Sequence, residues 1–251
     1  MNLILELPNK DDILRRFVDL GSDLGFGDLE KNIARDYIND VCNFLHNIKL
    51  GDKKEILEPE KFSEYYRKLS NLNNGIGRTM NHLTLLVKDE KNDGTGLANE
   101  FSFQLAISYA VHSELVLRII KDIVISEMRT NGAKALTAGQ IKKWFKKYYS
   151  NQKILDDIDE NLRNAILHMD FQFLEENNEG WIKYWYETPN GRQEKKKTIK
   201  EFFMLTKKVN VLYVLLLSAC QIEVIEKKAI LDDTLVRISM KHFKFLISSN
   251  E

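Results

Sequence analysis

Apolar residues recur every three to four positions over residues 13 to about 20 and 29 to about 48, predicting two short amphipathic helices separated by a glycine-rich break at 21–27. Pro59, at the head of EKFSEYYRKLSNL, suits a helix start, and 78–87 resumes helical packing after Asn73, Asn74, Gly75 and Gly77 interrupt it. The polar stretch KDEKNDGTG at 88–96 is the clearest loop, and it divides a leading helical region, 1–96, from a second unit, 97–251. Beyond it, 101–128 reads as one long helix, apolar on much of its circumference and therefore central, ended by Asn131 and Gly132. Thr137 opens a shorter basic and aromatic helix, GQIKKWFKKYY, and Asp156 or Asp157 caps another running through Leu162 to about His168.

The period then changes. FQFLEENNEGWIKYWYE alternates aromatic and β-branched positions about Asn177, Asn178 and Gly180, predicting a β-hairpin at about 171–187, and Asn190-Gly191 supplies a second turn. A long helix over about 198–228 and an amphipathic one over about 231–247 complete the chain. The expected fold class is predominantly α: a helical bundle with a small β-hairpin between the last long helices. Three prolines and twelve glycines in 251 residues agree with long helices.

Lys+Arg and Asp+Glu both total 37, which excludes a uniformly basic nucleic-acid coat but leaves room for local patches. Cys42 and Cys220 lie far apart in apolar surroundings, without the spacing of a zinc site, and read as free thiols. The N-terminus has no basic n-region, and the most apolar window, 209–220, falls short of the ~20 residues that cross a bilayer. The expectation is a cytoplasmic protein with no membrane partner.

Phosphate-loop, dinucleotide, zinc-peptidase, nucleophile-elbow and EF-hand motifs are absent from the sequence. The five histidines are scattered, so no metal ligand set is expected. One segment stands out, LRNAILHMDF. Arg163 and His168 lie about 140° apart on a helix, Asn164 and His168 share a face at i,i+4, and all three can converge near a helix C-terminus. An imidazole exchanges protons at neutral pH and a guanidinium stabilises charge on phosphate oxygens, so the pair suits phosphodiester chemistry. Arg237 and His242 have the same spacing in the last helix, where they read as a solvated or capping feature.

LRNAILHMDF follows a long apolar helix and precedes an aromatic hairpin and a second apolar helix. This order resembles the HEPN superfamily of helical domains with an RNAxxH segment, over roughly 100–220. The resemblance implies metal-independent, cofactor-free cleavage of single-stranded RNA in a toxin–antitoxin, phage-defence or RNA-processing setting. It also implies a homodimer with two motifs facing each other, and a possible cognate regulatory protein. In that scheme His168 is the acid/base, Arg163 stabilises the scissile phosphate and Asn164 orients either one. The alternative is a non-catalytic module that binds nucleotide, RNA or protein.

Lys142, Lys143, Lys146 and Lys147 flank the motif on one side and Lys195, Lys196 and Lys197 on the other, offering RNA-backbone contacts. The first run also reads as the solvated face of a core helix whose apolar face is Trp144, Phe145, Tyr148 and Tyr149, and the second as a solvated turn. His112, Glu114 and Arg118 interrupt the long upstream helix. Glu114 and Arg118 suit an i,i+4 pair, or the three line a cleft opposite His168. The hairpin aromatics Phe171, Phe173, Trp181, Tyr184, Trp185 and Tyr186 are expected to pack on helices, with base stacking as the alternative.

Overall fold

The computed structural model describes residues 9–47, 64–65, 67–68, 71, 95–130, 137–149 and 153–222. Their elements are α1 (Lys10–Asp23), α2 (Asp28–Asn47), α3 (Thr95–Thr130), α4 (Ala138–Tyr148), α5 (Glu160–Leu167), β1 (Phe171–Glu176), β2 (Glu179–Thr188), β3 (Gly191–Thr198) and α6 (Ile199–Gln221). Pro59, the segments 78–87 and 231–247, and Arg237 and His242 lie outside the described residues.

The helices begin where side chains satisfy their free N–H groups. Asn9 caps α1, and Thr137 and Thr198 form capping boxes with Gln140 and Glu201 at the starts of α4 and α6. Helix α3 runs 36 residues because no glycine or proline interrupts it after Gly96. It packs along α6, where every residue from Val211 to Cys220 is buried. Both helices are apolar nearly all round, so each needs neighbours on several sides. Helices α1 and α2 cover α6, and α5 wedges between α3 and β2. One apolar core runs from Ile13 and Phe17 through Tyr109, Ile120 and Ile166 to Leu216. Thr95 and Gly96 already belong to α3, so the leading helices share this core.

An ion pair fastens α2 to α6. Lys207 Nζ lies 2.6 Å from Glu30 Oε1, while Glu30 Oε2 accepts the Gly27 N–H at 3.0 Å. Burial raises the Glu30 pKa, but these partners outweigh it and hold the carboxyl below its ordinary value. The Glu100–Val124 and Ile199–Cys220 segments are each long and apolar enough to cross a bilayer by length and composition, a wider window than the sequence reading of 209–220. They are also the mostly buried central pair of this fold. Cys42 is half-buried and Cys220 buried, and neither is joined in a disulfide.

The expectation of a predominantly α bundle with a single small hairpin is corrected. The fold is mixed α and β, mostly helical, with a three-stranded antiparallel sheet in the order β1-β2-β3. Asn177 and Asn178, at φ of 55° and 60°, make the two-residue turn between Glu176 and Glu179. The Asn190-Gly191 turn closes a second hairpin, with Gly191 at φ 98° and the Thr188 hydroxyl donating to the Gly191 carbonyl at 2.8 Å. The third strand, GRQEKKKT, is exposed on both faces over its first six residues and has no apolar alternation to reveal it. Its lysines suit an unpaired sheet edge.

Candidate active site

Helix α5 positions the motif, and its start is fixed by one carboxylate rather than by Asp156 or Asp157. Asp159 is the N-cap: its Oδ1 accepts from the N–H groups of Asn161 and Leu162 at 3.0 and 3.1 Å. Its Oδ2 accepts from the buried Tyr184 hydroxyl at 2.8 Å, and its own N–H donates to the Tyr109 hydroxyl at 2.8 Å. Burial, then the charge of Asp159, drives the Tyr184 phenol well above its ordinary pKa. Burial does the same to Tyr109. Strand β2 and helix α3 thus both anchor the first turn of α5.

Arg163 sits one turn further on with its side chain only 11% exposed. Its Nη1 lies 3.3 Å from Glu114 Oε2 on α3, and its Nη2 donates to Asn164 Oδ1 at 2.9 Å. Nη1 lacks the alignment of a true hydrogen bond, and among the described residues neither it nor Nε has a hydrogen-bond partner. Glu114 also accepts from Arg118 Nε at 3.1 Å, so one carboxylate bridges two guanidiniums.

The far end of α5 carries His168 at the C-cap. The Asp170 N–H donates to the Ala165 carbonyl at 2.7 Å and the Met169 N–H to that of Ile166 at 3.2 Å, the Schellman pattern. That pattern favours glycine after the cap, yet Met169 occupies the position at φ 60°. The His168 imidazole is exposed and, among the described residues, makes no hydrogen bond. Its chain neighbours are exposed apolar side chains, Leu167 at 47% and Met169 at 60%. The His168 backbone N–H donates to the Asn164 carbonyl at 2.9 Å, but among the described residues no hydrogen bond joins the His168 imidazole to the side chain of Arg163 or Asn164.

The structure separates the proposed cleft trio. Glu114 and Arg118 join Arg163, but His112, two residues from Glu114 and so on another face of α3, is fully buried. Its Nδ1 donates to the Ser108 carbonyl at 2.8 Å, its ring meets Tyr213, and its Nε2 has no partner among the described residues. Burial lowers its pKa to about 4.

The two lysine runs do not form one basic surface. Lys142, Lys195 and Lys197 line a polar groove together with Asp156, Asp157, Asp159 and Glu160, so its cations face at least as many carboxylates. Lys142 donates to the Ile158 carbonyl, and burial pushes its pKa down. Lys143 is exposed, Lys146 lies 4.0 Å from Asp156, and Lys147 sits over Tyr148. Lys196 points to the opposite sheet face, 2.6 Å from Glu176. Phe145 of α4 and Tyr149 at its C-cap are buried and Trp144 is half-buried, whereas Tyr148 is 44% exposed.

The hairpin aromatics also divide by strand parity. Tyr184 is buried, and Phe171, Phe173 and Tyr186 pack on the core from the same face, while Trp181 and Trp185 stand on the other. Sequence reading missed Asp159, whose signal was its position just ahead of ENLRNAIL, and Met169, whose left-handed backbone no pattern announces. Among the described residues no group of three or more His, Cys, Asp or Glu side chains is placed to hold a metal ion.

No family model, no curated protein and no solved structure matches the chain.

Proposed function

We propose that this protein cleaves single-stranded RNA without a metal, by attack of a ribose 2′-hydroxyl on the adjacent phosphate, with Arg163 and His168 as catalytic residues. The observation that carries the reading is the Arg163 guanidinium, largely buried, backed by Glu114 and left with unused donors, on the short helix that ends in an exposed imidazole. The resemblance of LRNAILHMDF to HEPN domains supports the same assignment. In the reaction the O2′–P bond forms and the P–O5′ bond breaks, leaving a 2′,3′-cyclic phosphate and a 5′-hydroxyl. A base takes the proton of the 2′-hydroxyl and an acid gives a proton to the departing 5′ oxygen. Arg163 neutralises charge on the non-bridging oxygens, and Asn164 fixes its fork. One motif carries one imidazole, so a homodimer that brings two copies of His168 to one phosphate supplies both base and acid.

A second reading, an RNA- or protein-binding module without catalysis, draws on the absence, among the described residues, of any hydrogen bond to the His168 side chain. The purified protein incubated with single-stranded RNA in EDTA separates the two. Cleavage lost in His168→Ala and in Arg163→Ala supports the enzyme, and intact RNA with a folded protein supports the module.

A further inference from the structure

We infer that the outer face of the three-stranded sheet is a stacking track for single-stranded RNA leading away from the Arg163–His168 site. The inference rests on the proposed RNA reading and names where the strand runs. Trp181, Lys183 and Trp185 project from this face of β2, opposite the face that buries Ile182 and Tyr184. Both tryptophans are half-buried, yet neither packs on the apolar core.

Each indole carries cations. Lys196 Nζ lies 4.5 Å from the Trp181 ring centre, and Lys183 and Arg192 lie 5.3 and 5.5 Å from that of Trp185. These cations pair with carboxylates at Lys196–Glu176, Lys183–Glu194 and Arg192–Asp170 distances of 2.6, 2.7 and 3.0 Å. The pairs are partly exposed and therefore weak, so a phosphate can exchange for a carboxylate. A base that takes a cation's place over an indole releases that cation toward the strand's own phosphate. Hydrogen bonding of Trp185 Nε1 to Glu194 Oε2 at 3.2 Å holds the ring on this face.

The track is continuous with the proposed catalytic site. The Trp185 N–H donates to the Asp170 carbonyl at 3.0 Å, two residues beyond His168, and Arg192 pairs with the Asp170 side chain. From Trp185 the face runs to Trp181, roughly 13 Å along the strand, so one oligonucleotide of a few residues reaches both rings. Aromatic side chains with interleaved cations are the chemistry that recognises unpaired bases.

The test uses the full chain carrying His168→Ala, so that binding is read without cleavage, and a fluorescein-labelled oligouridylate of about 12 nucleotides. Trp181→Leu and Trp185→Leu should each weaken binding about tenfold, with Phe at either position restoring most of it. RNA should quench the intrinsic tryptophan emission. That quench should vanish in Trp181→Phe/Trp185→Phe, which still binds and retains Trp144. Unchanged affinity in folded Leu variants, or a quench that survives the Phe double substitution, overturns the track. If the Leu variants fail to fold, the Phe double variant decides alone. Cleavage by the native chain is scored separately: bound, quenched and uncleaved RNA leaves the track standing without the enzyme, and cleavage without quenching does the reverse.

Discussion

Glu114 Oε2 lies 3.3 Å from Arg163 Nη1, while Glu114 Oε1 accepts from Arg118 Nε at 3.1 Å. A carboxylate on the long helix thus orients the guanidinium of the short one. Glu114→Gln keeps the shape and removes the charge. It should lower kcat for RNA cleavage about tenfold with little change in KM, as expected when a transition-state contact is misplaced. Because Glu114 is partly exposed, thermal stability should change by less than ~1 kcal/mol. Equal loss in stability and activity would make Glu114 merely structural.

Asp159 should be the most sensitive polar residue at the start of α5. Asp159→Ala removes the N-cap, a loss of ~1 kcal/mol, and strands the buried Tyr184 hydroxyl at a further cost of ~1–3 kcal/mol. Urea unfolding should therefore show a loss of ~2–4 kcal/mol, and Tyr184→Phe should recover part of it in the double variant. Additive single and double effects would contradict the coupling.

Met169 holds a left-handed backbone beside His168 and is 60% exposed. Met169→Gly should raise stability by roughly 0.5–1 kcal/mol, since the αL penalty outweighs the added chain entropy. A lower melting temperature would mean that the Met169 side chain contributes more packing than its exposure suggests.

His112 gives the fold an acid limit. It is buried and neutral with its pKa lowered to about 4, against an ordinary value near 6.5. The unfolded chain therefore binds the proton first. Stability is fully present above about pH 6.5 and declines as pH falls toward about 4, by an order of ~3 kcal/mol in total. His112→Leu should flatten the unfolding free energy across that window. A slope unchanged in the variant would assign the acid loss to other groups.

What could be read from the sequence depended on periodicity. Helices α1 to α4 and α6 announce themselves by apolar repeats, and the turn at Asn177-Asn178 by two residues that tolerate positive φ. Strand β3 stayed hidden because an exposed edge carries no alternation, so KKK read as a loop. Spacing placed Arg163, Asn164 and His168 on one short helix, and tertiary contacts supplied the rest. No pattern in the chain indicates that Glu114 reaches Arg163 while His112, two residues away, turns into the core. The lysine runs misled for a related reason: flanking a motif in sequence does not make a basic surface, and Lys142, Lys195 and Lys197 gather among the carboxylates of a groove at the start of α5.

The central claim is tested most directly by the mass of the products from a defined single-stranded RNA digested in EDTA. The native protein should leave 2′,3′-cyclic phosphate and 5′-hydroxyl ends, with a 2′-O-methyl group at the cleaved residue blocking the cut and His168→Ala leaving the strand whole. Products ending in 5′-phosphate, or equal cleavage by His168→Ala, would contradict it.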